Sequence, residues 1–184
     1  MMPPMAKYGF GQFKADVKAD IAVDSRRRPK LWFLTIWTSV RFRLLLLYRL
    51  GRFLSGVKGM KLFLPYLRMR QYRLCGCEVS PRAIIGRGVL LPHPTGIIIG
   101  QGVTIEDNVT ILQNVTLGHL GSGTEEDAYP VICEGVAIYA GAKIIGNVRV
   151  GKGAKIGANA VVLKDVPDGY IAVGVPAQMK APKA

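Results

Sequence analysis

The sequence contains little cysteine, with three residues in a chain of 184. Cys75 and Cys77 are separated by one residue and Cys133 stands apart, so the three do not form a disulfide framework. The N-terminus lacks the apolar core of a secretory signal, and no apolar run reaches the roughly 20 residues that cross a bilayer. These absences indicate a reducing compartment, and we expect a cytoplasmic protein.

Acidic residues are scarce in the first part of the chain. Residues 1–78 contain 16 Lys and Arg against four Asp and Glu, whereas residues 79–184 contain nine against eight. The sequence therefore indicates an anionic partner for the N-terminal segment. The second part is nearly neutral and poor in aromatic residues, so it lacks the basic stripe and the stacking platforms of a nucleic-acid-binding surface.

A repeat of six residues dominates the second part of the chain. The fourth residue after most of the repeating aliphatic residues is also apolar, which gives two apolar positions per repeat. Amphipathic helices need a period of about 3.6 and half-buried strands a period of about 2, so neither explains the pattern. The repeating aliphatic residues are Val79, Ile85, Leu91, Ile99, Ile105, Ile111, Leu117, Ile132, Ile138, Ile144, Val150, Ile156 and Val162.

Six residues fit a short strand and a corner, and three such units close a triangular coil whose stacked copies bury columns of aliphatic residues. We predict an all-β domain, a parallel β-helix, over residues 78–166, with an extruded loop at 118–131. A basic, helical segment would precede it at 1–77, and a tail would follow at 167–184. Glycines after the inward residues, such as Gly86, would allow tight corners. A β-sandwich is the alternative, but it would need irregular strand spacings.

Both histidines lie where the repeat is interrupted. His93 lies in the break Leu91–Gly96, and His119 lies in the glycine-rich loop. Histidine is the natural general base near neutral pH, and a carboxylate commonly holds its ring in one tautomer. Glu78 lies fifteen residues before His93, close to one coil of eighteen residues, so we expect the two in adjacent layers. The alternative for each histidine is a structural or solvated role.

Residues 78–178 resemble the catalytic domain of the hexapeptide-repeat acyltransferases, in particular the serine acetyltransferases and the exopolysaccharide acetyltransferases of the colanic-acid type. The most specific segments are Pro-His-Pro-Thr-Gly-Ile-Ile-Ile at 92–99 and Gly-Val-Pro-Ala at 174–177. The resemblance implies a left-handed β-helix, a homotrimer with active sites between protomers, acetyl-CoA as co-substrate and no metal. It also implies that His93 is the catalytic base and that Glu78 is its partner.

Three departures from the serine acetyltransferases bear on the acceptor. Those enzymes have an Asp before the catalytic His and an Arg-His pair in the extruded loop, where this chain has Pro92, Ala128 and Tyr129. A serine zwitterion would lose several charge-assisted hydrogen bonds there, each worth about 1.5–3 kcal/mol. We therefore expect a sugar hydroxyl of a polysaccharide or lipid-linked saccharide as acceptor, bound by His119 and Tyr129. The alternatives are serine O-acetylation and a non-catalytic scaffold docked on membranes.

The coenzyme site is expected in a groove between protomers, where short side chains would admit the pantetheine arm of acetyl-CoA. Lysines there would meet its phosphates, although each lysine could equally be a solvated corner residue. The expected residues are Gly118, Gly141, Ala142, Gly157, Ala158, Lys164 and also Lys155.

Residues 31–52 mix Trp, Phe and Leu with Arg, and their apolar stretch ends after about ten residues at Arg41. Such a segment is typical of a helix that lies in the headgroup layer of an anionic membrane. We therefore expect peripheral association with the inner face of the membrane. The alternative is a pair of amphipathic helices packed on the end of the β-helix. We find no match between this segment and the helical N-terminal domain of the serine acetyltransferases.

Overall fold

A computed structural model describes residues 8–24, 35–119, 121 and 129–182. Its helices come first: α1 (Phe10–Asp24), α2 (Thr35–Thr38), α3 (Val40–Ser55), a 3₁₀ turn (Met60–Phe63) and α4 (Leu64–Cys75). In the described part of the chain, no helix is long and apolar enough to cross a membrane. The helices of the predicted N-terminal segment are therefore present and short.

Short strands follow the helices. They are β1 (Glu78–Val79), β2 (Ile84–Ile85), β3 (Ile98–Ile99), β4 (Thr104–Ile105), β5 (Thr110–Ile111), β6 (Thr116–Gly118), β7 (Val131–Ile132), β8 (Ala137–Ile138), β9 (Lys143–Ile145), β10 (Arg149–Val150), β11 (Lys155–Ile156), β12 (Val161–Val162), β13 (Ile171–Val173) and β14 (Gln178–Lys180).

The strands form three sheets, one for each face of a three-sided prism. Sheet A has the order β1-β3-β6-β9-β12, sheet B the order β2-β4-β7-β10, and sheet C the order β5-β8-β11-β13-β14. The pairs are parallel except β13 with β14. Each strand pairs with the strand one coil further on, so the predicted parallel β-helix is confirmed.

The two apolar positions of the repeat form the interior of the prism. Every repeating aliphatic residue from Val79 to Val162 is at most 4% exposed. Val79, Ile99 and Leu117 occupy equivalent positions in successive coils of sheet A, and the pairing continues to Ile144 and Val162. This stacked burial removes apolar surface from water along the whole prism and supplies the main driving force for folding.

The glycines that follow the inward residues are needed for a different reason from the predicted one. A Cβ on Gly86 would lie 2.9 Å from the backbone nitrogen of Asp107 in the next coil, so this glycine allows two coils to approach closely. Positive φ angles fall at other corner residues, including Asn114 at 59° and Asn159 at 56°. Asparagine tolerates this left-handed conformation better than most residues.

Helix α3 covers the end of the β-helix at its first coil. Ser39 caps the helix, since its hydroxyl accepts a hydrogen bond from the backbone N–H of Phe42 at 3.1 Å. The hydroxyl of Tyr48 donates to the carbonyl of Ala83 at 2.8 Å and accepts from the N–H of Ile85 at 3.1 Å. The apolar face of α3 is thus buried on the prism, as the alternative interpretation of this segment expected. Residues 31–34 lie outside the described residues.

Arg49 of α3 joins the helices to the first coil and is 0% exposed. Its guanidinium donates to the carbonyl oxygens of Ile85 at 2.6 Å and Gly86 at 2.7 Å. It also bonds Asp20 of α1 at 3.2 Å and Asp16 at 3.4 Å. Burial acts to lower the pKa of Arg49, but the two carboxylates outweigh burial and raise it, so the group stays charged.

Replacing Arg49 with Met should lower the free energy of unfolding by about 3–5 kcal/mol, because buried Asp20 would lose its counter-ion and Asp16 would keep only Arg87. Urea denaturation followed by circular dichroism measures the change. Lys58→Met, at an exposed position after α3, is the control and should shift stability by less than about 0.5 kcal/mol. Equal denaturation midpoints for the two variants would contradict this role of Arg49.

Candidate functional site

His93 is exposed at the corner where the chain passes from sheet C to sheet A. The N–H of Thr95 donates to the carbonyl of His93 at 2.8 Å, which makes the segment bend tightly. Gly96 completes the corner with a φ of 64°. The two-residue slip of the repeat therefore produces a kink, and the kink carries an accessible imidazole.

Two cysteines fix this kink to the preceding coil. The thiol of Cys77 donates to the carbonyl of Pro94 at 3.3 Å and accepts from the N–H of Ile97 at 3.3 Å. Cys77 is completely buried, and its hydrogen bond with Cys75 lowers the pKa of Cys77 to about 7 while raising that of Cys75. Both cysteines are free thiols, as their spacing predicted, but nothing in the sequence predicted their contact with the segment that carries His93.

Glu78 lies at the start of β1, in the coil before His93. Its N–H donates to the carbonyl of Ile97 at 2.9 Å, which places its backbone beside the segment that follows His93. Its Oε1 accepts from Arg68 of α4 at 2.5 Å, and the two side chains are 37% and 67% exposed. The structure thus pairs Glu78 with an arginine, and no hydrogen bond joins Glu78 and His93 among the described residues. No periodic signal in the sequence pointed to Arg68.

The two predicted acceptor residues lie together at the base of the extruded loop. The rings of His119 and Tyr129 are 5.1 Å apart and inclined at 60°. Nδ1 of His119 accepts the N–H of Gly121 at 2.9 Å. The Tyr129 ring packs over Gly102 and over Gly100, where a Cβ would approach the ring to 2.9 Å. The ring therefore covers a corner of its own prism.

The two histidines stand on opposite edges of sheet A. His93 precedes β3, whereas His119 follows directly after β6. Since the strands of sheet A are parallel, one sheet face lies between its two histidines.

The predicted coenzyme residues lie in the later coils and differ in accessibility. Ala142 is 0% exposed with its side chain in the core, so only its backbone could meet a ligand. Gly141 has a structural reason to be glycine, because its φ is 75° and a Cβ would collide with the side chain of Asn159. Gly118 and Gly157 are half-buried, and Lys155, Ala158 and Lys164 are exposed.

Comparison with known proteins identifies the family. The model of the bacterial transferase hexapeptide (six repeats) matches residues 129–164. The serine acetyltransferase of Buchnera aphidicola is 45% identical over 168 residues, which are 90% of this chain and 58% of that protein. A solved serine acetyltransferase in complex with cysteine is 37% identical with a TM-score of 0.83, covering 95% of this chain and 68% of the other. The chain belongs to the serine acetyltransferase family.

A solved serine acetyltransferase in complex with CoA superposes with a TM-score of 0.80 at 38% identity, over 93% of this chain and 71% of that one. The left hand of the β-helix, which the resemblance implied, is confirmed by these superpositions. Residues 78–184 are little more than half of the chain, so a match over 90% of it extends well into the helices. The expectation that the helical segment has no counterpart in serine acetyltransferases was therefore wrong. The chain spans less than two thirds of the length of the curated relatives.

The expected sugar acceptor, and with it the exopolysaccharide subgroup, was also wrong, because relatives at 42–45% identity are serine acetyltransferases. The expectation rested on Pro92, Ala128 and Tyr129. Ala128 lies outside the described residues, and the Tyr129 ring is packed on glycines instead of offering a free face. Charges that hold a small zwitterion can come from any element around a site, so three positions could not exclude serine.

The packing of Tyr129 predicts a structural effect for its removal. Tyr129→Ala should lower the free energy of unfolding by about 1–3 kcal/mol, less than the 3–5 typical of a fully buried aromatic ring, because Tyr129 is half-buried. Tyr129→Phe should retain most of the stability. Tyr139→Ala, which removes an exposed ring, is the control for thermal or urea denaturation. A loss no larger than the control's would show that the ring does not stabilise the corner.

Proposed function

We propose that this protein transfers the acetyl group of acetyl-CoA to the side-chain hydroxyl of serine, giving O-acetylserine and CoA. The observation that carries the proposal is the exposed imidazole of His93, fixed at a kink of the prism in a chain that is similar over 95% of its length to a serine acetyltransferase. Relatives named for this activity, one of them solved with CoA, support both the acceptor and the donor.

In the proposed reaction His93 is the general base. Its imidazole takes the proton of the serine hydroxyl as the oxygen attacks the thioester carbon. The resulting tetrahedral intermediate collapses, the C–S bond breaks, and the CoA thiolate leaves and receives a proton. A neutral imidazole is suited to this task because it exchanges a proton near neutral pH. The exposed position at the kink leaves room for both substrates.

Glu78 is proposed to orient His93, with Arg68 as the residue that positions Glu78. Arg68 bonds Oε1 of the carboxylate, and a carboxylate can accept hydrogen bonds on both oxygens. Oε2 can therefore accept from the imidazole of His93 when substrates are bound, since catalytic hydrogen bonds are often long or absent before binding. This arrangement would hold the ring in the tautomer that leaves one nitrogen free as base.

A homotrimer is proposed because each chain carries the proposed catalytic and acceptor-binding residues on different edges of its prism. His93 and Glu78 lie on the edge of sheet A that starts its strands, and His119 and Tyr129 lie on the edge that ends them. Rotation about a threefold axis can place one edge of a protomer against the other edge of its neighbour. Acetyl-CoA would then lie in the groove between prisms, along Gly118, Gly157 and Ala158, with Lys155 and Lys164 available for its phosphates.

The first test of this function concerns the role of His93 as the catalytic base. His93→Ala should lower the rate of CoA release with acetyl-CoA and L-serine by about 10²–10⁴-fold, the contribution typical of a general base. Release of the free thiol is followed with a chromogenic disulfide. His119→Ala, which removes the other histidine, is the comparison and should lose less. A His93 variant with full activity would refute the mechanism.

The second test is the acceptor. L-Serine should accelerate CoA release well above the rate of thioester hydrolysis, and mass spectrometry should find O-acetylserine. N-Acetylglucosamine serves as the control acceptor and should leave the rate at the hydrolysis level. A rate that does not respond to L-serine would contradict serine as acceptor, even if His93 proved essential for hydrolysis.

A further inference from the structure

The outward face of helix α4 is unusually apolar for a surface helix. Leu67 and Gln71 are buried, so the side of the helix that carries them faces the rest of the protein. The other side carries Tyr66, Met69 and Tyr72, which are 58%, 51% and 65% exposed. These residues recur at every third position and therefore share one face.

The 3₁₀ turn before α4 extends this face. Leu62 is 83% exposed and Phe63 is 49% exposed. We call Leu62, Phe63, Tyr66, Met69 and Tyr72 the α4 patch. Beside it lies an open groove of about 720 Å³ whose lining includes Leu64, Pro65 and Pro81. Contiguous exposed apolar surface of this kind usually marks an interaction site.

The unpaired charges around the α4 patch are positive in the described part of the chain, since Arg68, which lines the same groove, is paired with Glu78. Lys58, Lys61, Arg70 and Arg73 are exposed, and none of the four forms an ion pair with another described residue. The sequence contains no Asp or Glu between Ser25 and Cys77, so this surface has no carboxylate of its own segment to neutralise it. Its partner should therefore be anionic at the rim and apolar at the centre.

We propose that the α4 patch docks the protein on an anionic lipid surface. Aromatic and aliphatic side chains would enter the boundary between headgroups and acyl chains, while the lysines and arginines meet the phosphates. Tyrosine suits this boundary because its ring is apolar and its hydroxyl is polar. The helix would lie on the membrane and would not cross it.

Two other occupants fit the α4 patch less well. A second copy that paired through the same face would bring Lys61, Arg70 and Arg73 against their own equivalents, with no carboxylate between them. A nucleic acid would match the charges, but it would leave Leu62 and Met69 without apolar partners. A lipid surface satisfies both the charge and the apolar area.

The surface differs from the one that the sequence predicted. The apolar residues of α3, such as Phe42 and Leu45, are 1% exposed and packed inside the protein, so they are not available to a membrane. Trp37 of the predicted segment is 78% exposed, so the α4 patch is an additional surface and does not replace the whole of that segment. The proposal does not depend on the acetyltransferase function, because the patch contains no residue of the proposed catalytic set and the tests of the two use different measurements.

Co-sedimentation of the full chain with vesicles tests the proposal. The protein should bind vesicles of phosphatidylcholine with about 30% phosphatidylserine and should not bind phosphatidylcholine alone. Each Lys or Arg near an anionic surface strengthens binding roughly fivefold, so Lys61→Gln, Arg70→Gln and Arg73→Gln together should weaken it about a hundredfold. Leu62→Ser with Met69→Ser should also weaken binding, at unchanged charge.

The matched control replaces three exposed cations of the β-helix, Arg149, Lys152 and Lys180, with Gln and should keep vesicle binding. Circular dichroism verifies that each variant is folded. Equal losses in the control and in the α4 variant would overturn the proposal, since general charge would then explain the binding. Binding of an oligonucleotide without binding of vesicles, or a change of oligomeric state in Leu62→Ser with Met69→Ser, would also overturn it.

Discussion

The stacking of one coil on the next is the constraint on which the rest of this structure depends. Parallel strands pair residue for residue, so each inward position must accept an aliphatic side chain above another, as Ile99 lies between Val79 and Leu117. A change of register by one residue would turn the apolar residues outward. Irregular segments can therefore occur only at corners, where they leave the columns intact. The kink with His93 and the loop after Gly118 lie at such corners, and both carry a histidine.

This constraint explains why the fold could be predicted from the sequence and why much of the site could not. A period of six residues is repeated many times, so the positions of the strands and of the buried columns follow from it. The contacts of Arg49 with Asp16 and Asp20 join residues far apart in sequence, and that of Arg68 with Glu78 joins a helix to a strand; none of them carries a periodic signal. The kink around His93 was visible as a slip in the repeat, but the thiol that fixes it was not.

The acceptor was misjudged for a related reason. Three individual positions suggested the acceptor, whereas a zwitterion is bound by the whole electrostatic environment of a site, including groups from other elements and protomers. The structure separates His93 from His119 by the width of one prism face, so part of the environment of either histidine belongs to a neighbouring chain in the proposed trimer. Similarity over most of the chain, helices included, reflects all of these groups together. It is therefore stronger evidence on the family than the three positions 92, 128 and 129.

The positive charge of the N-terminal segment serves two different purposes that composition cannot separate. Arg41 and Arg49 are buried and donate to backbone carbonyls of the first coil, Arg41 to Val89 at 3.0 Å and Arg49 to Ile85 at 2.6 Å. These arginines attach the helices to the prism. Lys61 and Arg73 are exposed beside apolar residues, where their charges are available to a binding partner. The same excess of charge thus stabilises the inner side of the helical layer and would attract the proposed anionic surface on its outer side, and only burial distinguishes the two.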